Sequence, residues 1–367
     1  MLKNLLTNSR TWLMVPAICL ATIQSTAQSP GFFLDDWQGK TATVPEYEIV
    51  DQPAETPTIT VTVDHSQFIN KVPQYIYGNN AVTWDNGLPD NPTAMTDLKN
   101  LNPHVLRWPG GSLSNSYFWN VPYGQRPDDI PNGISPWYGM NTDWQMSVDE
   151  YYELLEETGS TGSICVNYSY ARYGTSEDPV ATAAHMAAEW VRYDNGRSKY
   201  WEIGNENFGN WEEGNIIDTD LNQDGQPAKI SGTLYGQHAS VFIDSMRAAA
   251  SEVGTDIKIG VVAYDSENSW DPISEVWNEG MMPIVGDKAD FLIVHSYFTP
   301  YEQDSPVSTI LNSHTVPGTI MAVIEADMAE AGKPMLPVAM TEWNIFAEGS
   351  WQQVSYINGM LAAITLG

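Results

Sequence analysis

The sequence predicts an α/β fold, a parallel barrel of the (β/α)8 type, and three observations carry the prediction. Short apolar strands alternate with helical patterns along most of the 367 residues. Several strands are apolar without alternation, as strands are when helices cover one face and a packed core fills the other. Polar residues gather just after the strands, at the ends where barrel loops converge on one mouth. Seven β/α units follow one another, and the barrel is the main parallel fold with so many. A doubly wound open sheet is the alternative. The pattern closes on an apolar helix (Val354, Ile357, Met360, Leu361, Ile364) without an eighth strand, so the barrel is expected to be truncated before that strand.

Taken from the N-terminus, Lys3 and Arg10 precede an apolar run over residues 12–23, and Ser25-Thr26-Ala27 supplies small residues for cleavage. Residues 1–27 therefore read as a signal peptide, which implies a secreted or periplasmic protein. The run is shorter than the roughly 20 residues a span requires, so no membrane contact is expected after cleavage. Residues 28–70 read as an extended lead-in. Within it, Thr58-Ile59-Thr60-Val61-Thr62-Val63 alternates strictly, the pattern of a half-buried strand from an accessory β element.

Residues 71–367 make the barrel. Its strands are expected to end near Gly78 (after Tyr75-Ile76-Tyr77), Arg107, Tyr168 and Gly204, then near Ala263, His295 and Thr341. Helix boundaries are written between them. Ser147 and Glu150 form a capping box for a helix that stops at Gly159. Asp178 caps a second helix with Pro179 in its first turn, and Thr233 opens a third that ends before Gly254.

Composition narrows the function. A net charge of −30 repels nucleic acid and anionic membranes, and it favours a neutral substrate. Of two cysteines, Cys19 leaves with the leader and Cys165 sits in an apolar strand, as a small buried hydrophobe does. The chain has 14 tryptophans and 18 tyrosines, and aromatic faces stack on sugar rings. Trp84, Trp119, Trp137, Trp144 and Trp211 fall in polar loops and are the candidates for such stacking.

The chemistry concentrates at strand ends. Gly204-Asn205-Glu206-Asn207 delivers an amide and a carboxyl at the end of the fourth strand, and Met340-Thr341-Glu342-Trp343-Asn344 delivers a second carboxyl at the seventh. Glycosidic cleavage with retained configuration needs two carboxyl groups about 5–5.5 Å apart, one as acid and one as nucleophile. Arg107, before Trp108-Pro109-Gly110-Gly111, is placed to keep a neighbouring glutamate ionised. His295 and Tyr297 end the sixth strand, where a histidine can touch substrate and a tyrosine can bond Glu342.

This set resembles the clan A glycoside hydrolases, and within them most of all the α-L-arabinofuranosidases of family 51. The resemblance runs in order over most of the chain beyond residue 75. It implies that Glu206 is the acid/base, Glu342 the nucleophile, Arg107 and Tyr297 the nucleophile's partners, and Asn205 a sugar ligand. Asn167 and Trp343 fall where substrate-contacting or supporting residues are expected.

A polysaccharide or oligosaccharide is the partner these readings imply. The alternatives are an endo-acting β-glycanase of agarase or xylanase type, or a carbohydrate-binding barrel without catalysis. No cofactor is required. Asp220, Asn222 and Asp224 alternate before Gly225 as in the first half of a calcium loop, so a structural Ca2+ is weighed there against a solvated acidic turn.

Overall fold

The computed structural model describes residues 31–39, 46–51, 58–60, 62, 64, 66, 70–81, 83–84, 87–122, 125–132, 134, 145–266, 271–346 and 350–366. The signal peptide expected over residues 1–27 lies outside them, as do Trp137 and Trp144.

Seven parallel strands pair strictly in sequence order. They are β1 (Gly78–Asn80), β2 (Val105–Trp108), β3 (Thr161–Val166), β4 (Ser198–Ile203), β5 (Lys258–Val262), β6 (Phe291–Tyr297) and β7 (Val338–Asn344). Helices α1 (Pro92–Leu101) and α2 (Val148–Thr158) follow the first two strands, and α3 (Tyr170–Tyr173) with α4 (Pro179–Asp194) follows the third. The next connections hold α5 (Gly232–Val253), then α6 (Pro272–Glu275) with α7 (Trp277–Val285), then α8 (Val307–Asn312) with α9 (Val316–Glu330). Last comes α10 (Tyr356–Leu366).

A doubly wound sheet must reverse its strand order at some point; this one never does. The sheet instead curls into a nearly closed barrel, and its two outer strands meet where Asn80 Nδ2 donates to the Thr341 carbonyl at 3.1 Å. Interior strands β2 to β6 are largely buried, whereas β1 is exposed and β7 half-buried.

The helix boundaries follow their local chemistry. Ser147 and Glu150 exchange both bonds of the capping box, and Gly159 closes α2 in the left-handed conformation. Asp178 accepts from the Ala181 N–H at the start of α4. Ser231 caps α5, which opens at Gly232, one residue before the expected Thr233.

Side chains alternate along each strand between the helices and the barrel interior. Leu106, Trp108 and Trp201 pack outward, where Trp108 stacks on Tyr151 at 4.9 Å and meets Trp190 of α4 edge-on. Inside, Val105, Tyr200, Phe291, Ile293 and Ala339 form an apolar floor. The lead-in, expected to be merely extended, contributes to it: Phe32 and Phe33, in one turn of 3-10 helix, pack on Tyr200 and Phe291. Asp36 accepts from the Tyr75 hydroxyl and secures this segment.

Two expectations fail here. The first strand does not occupy residues 75–77, which belong to a 3-10 turn and its cap; it begins at Gly78. A side chain on Gly78 would meet Val105 Cγ1 at 2.5 Å, so this close pairing selects the glycine as strand. The accessory strand is also absent at residues 58–60 and 62, where Ile59 stands 79% exposed. Alternation yields a strand only beside a pairing partner, and no described segment pairs with these residues. Among the described residues, no helix is long and apolar enough to cross a membrane.

Candidate active site

Above the apolar floor, the interior turns polar. Arg107 of β2, Ser163 of β3, Glu202 of β4, His295 and Tyr297 of β6, and Thr341 and Glu342 of β7 join one hydrogen-bonded set, with Asn205 and Glu206 from the loop after β4.

Arg107 organises it. Its Nε donates to Glu202 Oε2 at 2.8 Å, Nη1 to Glu342 Oε1 at 2.8 Å, and Nη2 to Asn205 Oδ1 at 2.9 Å. Gly110 turns behind it with φ of +66°, and a side chain there would crowd Arg107 Nη1 at 3.1 Å. Glycine is the residue that tolerates both conditions.

Glu342 accepts from Arg107 on one oxygen and from the Tyr297 hydroxyl, at 2.8 Å, on the other. Burial by itself would raise its pKa. The charges of His295 and Arg107, with the bonds from Tyr297 and Arg107, outweigh burial and hold the carboxyl down at about 2. It is therefore ionised at neutral pH.

A bulge aims it. Val294 pairs with Met340, but the next residue, His295, pairs with Glu342, which leaves Thr341 as an extra residue on β7. Bulges of this kind re-aim side chains beside active sites. Here both Thr341 and Glu342 turn inward, and the Thr341 hydroxyl meets His295 Nε2 at 3.0 Å.

Glu206 lies across the mouth in the left-handed conformation, with φ of +43°, a conformation uncommon for non-glycine residues. Its Oε1 lies 2.9 Å from His295 Nδ1, and its Oε2 accepts from the Trp211 indole N–H at 2.9 Å. Atoms of Glu206, His295 and Glu342 all fall within 4.8 Å of one another. Burial disfavours a charge on His295, but Glu342 and the bond to Glu206 outweigh it and raise its pKa.

The structure thus brings Glu206, Glu342, Arg107, Asn205, His295 and Tyr297 together. Two expected neighbours are elsewhere. Trp343 stacks on Phe298 at 5.9 Å on the helix side of β7, because the pleat turns it away when Glu342 faces in. Asn167 is buried and engaged within the fold: its oxygen accepts from the Tyr170 N–H, and its nitrogen donates to the Tyr173 hydroxyl. Trp119 likewise stacks on Trp190 rather than lining the mouth. Trp84 is 62% exposed, and among the described loop tryptophans Trp211 reaches the site.

Asp220, Asn222 and Asp224 lie in the loop between β4 and α5. Asn222 Oδ1 accepts from the Gln226 N–H at 2.7 Å and Asp224 Oδ2 from Gln226 Nε2 at 2.8 Å. Gln226 in turn accepts from buried Arg172 at 2.6 Å, so this turn is tied to α3.

Sequence reasoning passed over Glu202, Asn115 and Glu212. Glu202 left a signal, because an acid inside an apolar strand must find a cation when buried. Asn115 and Glu212 left none, since their partners come from separate loops. Glu212 Oε1 accepts from Ser112 Oγ at 2.8 Å and Asn205 Nδ2 at 3.1 Å, and its Oε2 from Asn115 Nδ2 at 2.6 Å.

Comparison with known proteins agrees with this geometry. Residues 97–206 match the family model described as the α-L-arabinofuranosidase 1 domain. The probable α-L-arabinofuranosidase C of Aspergillus clavatus is 23% identical over 339 residues, covering 81% of this chain and 62% of that protein. An intracellular exo-α-L-arabinofuranosidase of Bacteroides ovatus is 29% identical over 180 residues, 41% of this chain and 34% of that protein. Among solved structures, the family 51 α-L-arabinofuranosidase of Thermotoga petrophila superposes with a TM-score of 0.53 at 20% identity, covering 82% of this chain and 62% of that one. Another arabinofuranosidase crystal structure gives 0.55 at 20% identity, covering 83% and 63%. The chain is thus similar in sequence to α-L-arabinofuranosidases and shares the barrel of the family 51 enzymes, and it spans about three fifths of the length of the fungal relative.

Proposed function

We propose that the chain is the catalytic barrel of a retaining glycoside hydrolase that releases α-L-arabinofuranosyl groups from a neutral polysaccharide or oligosaccharide. The observation that carries this reading is the carboxylate pair, with atoms of Glu206 and Glu342 within 4.8 Å of each other at the mouth. That closeness favours direct attack by one carboxylate over the wider gap an inverting enzyme keeps for water.

In this reading Glu342 is the nucleophile. Arg107, Tyr297 and His295 keep it charged and oriented, as attack on the anomeric carbon requires. Glu206 protonates the departing oxygen, and the bond from the sugar carbon to that oxygen breaks as the bond to Glu342 forms. Glu206, now a carboxylate, then takes a proton from water, whose oxygen displaces Glu342 from the sugar. The arabinofuranosyl specificity is supported by the named relatives and the family model. Both carboxyls and their partners are in place, which favours catalysis over a purely binding role. Export is supported by the N-terminal sequence pattern.

The test is a screen of the full chain against aryl glycosides and neutral plant and algal polysaccharides, with identification of the sugars released. Arabinose as the sole product, lost in Glu342→Ala, supports the proposal. Oligosaccharides from one polysaccharide would replace it with an endo-acting activity on the same carboxylate pair, and silence on every substrate would remove the catalytic reading.

A further inference from the structure

We propose that Glu212 is a positioning residue for sugar recognition: it fixes the Asn205 amide so that the remaining N–H of that amide meets the substrate hydroxyl next to the reacting carbon. This rests on the reading of Glu206 and Glu342 as the glycosidase pair.

Glu212 is 4% exposed, and among the described residues it joins no ion pair. It is surrounded by donors instead, and the orientation of each amide is forced from its far side. Arg107 has only N–H groups to offer. The Asn205 atom 2.9 Å from its Nη2 is therefore the oxygen, and the NH2 points to Glu212 Oε1. Asn115 is fixed in the same way. Its oxygen accepts from the Asn205 backbone N–H at 3.3 Å, while its nitrogen donates to the Asn205 carbonyl at 2.7 Å and to Glu212 Oε2.

When Glu212 is ionised, both of its carboxyl oxygens act as acceptors. A glutamine would set its own NH2 against that of Asn115 or that of Asn205. One N–H of the Asn205 amide is held by Glu212, and the other is left for a ligand. Hydrogen bonds to the hydroxyl beside the anomeric carbon strengthen in the transition state, so an error here falls on kcat.

Ionisation is coupled to the contact. Burial, and next the charge of Glu206, push the Glu212 carboxyl up to about 8, against the bonds from Asn115, Ser112 and Asn205. The charged groups around it are Glu206 and, through Asn205, Arg107 with its partners Glu202 and Glu342; Ser112, Asn115 and Asn205 are neutral. When Glu212 is protonated, one oxygen must donate, and the Ser112 hydroxyl on Oε1 is able to accept. That is the oxygen Asn205 uses, so protonation loosens the Asn205 contact.

The experiment measures kcat and KM against pH for wild type, Glu212→Gln and Ser112→Ala, using an aryl α-L-arabinofuranoside. Above about pH 8, where Glu212 is ionised, Glu212→Gln should lower kcat about 10–100-fold with KM within about threefold, and it should remove the wild-type ionisation near pH 8. Ser112 is exposed, and Ser112→Ala should displace that ionisation upward by withdrawing a donor from the carboxylate. A readout independent of turnover is the Trp211 indole N–H signal in 15N NMR, assigned with Trp211→Phe. It should titrate near pH 8 in wild type and not in Glu212→Gln. Wild-type turnover judges the glycosidase reading on its own; the variant profiles, or the indole titration where there is no turnover, judge Glu212. A Glu212→Gln enzyme with wild-type kcat and pH profile overturns the proposal, as does an indole signal that titrates alike in both. Should Glu212→Gln fail to fold, an unmoved Ser112→Ala profile and indole titration overturn it.

Discussion

Arg107 and Glu202 meet at 2.8 Å with only 4% and 0% of their side chains exposed. The pair sits directly beneath the catalytic candidates, and Arg107 carries its remaining donors upward to Glu342 and Asn205. Glu202 thus sets the height and angle of the group that holds the Glu342 carboxylate. Breaking a buried pair by removing one partner costs about 3–5 kcal/mol. Glu202→Ala should lose stability of that order in urea unfolding. Its residual folded fraction should also turn over more slowly, because Arg107 is then free to tilt.

Glu342→Ala should lower kcat by roughly 10⁴-fold, as removal of a nucleophile does. Glu206→Ala should lose comparable rate on sugar leaving groups and much less on activated aryl leaving groups. Azide should partly restore Glu206→Ala on the aryl substrates, since it attacks the sugar without needing a base. Azide rescue of neither variant, with both retaining wild-type rates, would dismiss the carboxylate assignment.

Tyr297→Phe deletes one charge-assisted hydrogen bond to Glu342 and leaves the Arg107 contact. Bonds to a charged group contribute about 1.5–3 kcal/mol, so kcat/KM should fall about 10–100-fold. The acid limb of the pH profile should move to higher pH, because Glu342 then takes a proton more readily.

Stability should respond to pH in two opposite ways. Glu342 is held at about 2, below its ordinary 4.5, so its contribution is complete above pH 4.5 and is lost as pH falls toward 2. Glu212 is raised from 4.5 to about 8, so the folded state keeps a proton that the unfolded state releases. Its contribution declines as pH rises from 4.5 to 8, by about 1.4 kcal/mol per unit. Urea titrations from pH 3 to 9 should show a slope of that sign, flattened above pH 5 in Glu212→Gln.

The barrel order was legible because each strand and helix leaves a local trace: apolar runs, caps at Ser147 and Asp178, glycines at 159 and 254. Glu206, Glu342 and Arg107 were legible because charged residues at strand ends are conspicuous against apolar strands. Trp343 stacks on Phe298 away from the mouth: sequence shows adjacency, whereas the pleat decides which neighbour faces inward. Asn167 bonds Tyr170 and Tyr173 beside it, and an amide serving its own loop looks the same in sequence as one serving a ligand. The described residues of the alternating segment, 58–60 and 62, show the same limit: alternation states a preference, and only a partner strand makes it structure.

The irregular pairing at Thr341 settles more than the aim of one side chain. With regular pairing after Val294 and Met340, Thr341 would stand beside His295, Glu342 would share the outward face of Ser296, and Trp343 would face the barrel interior. Every amino acid would be unchanged and the Glu342 carboxylate would be gone from the mouth. The phase of a single strand, rather than any residue in it, is thus a heritable determinant of this site, and a homologue must be compared in pairing as well as in letters before its glutamate is credited with chemistry.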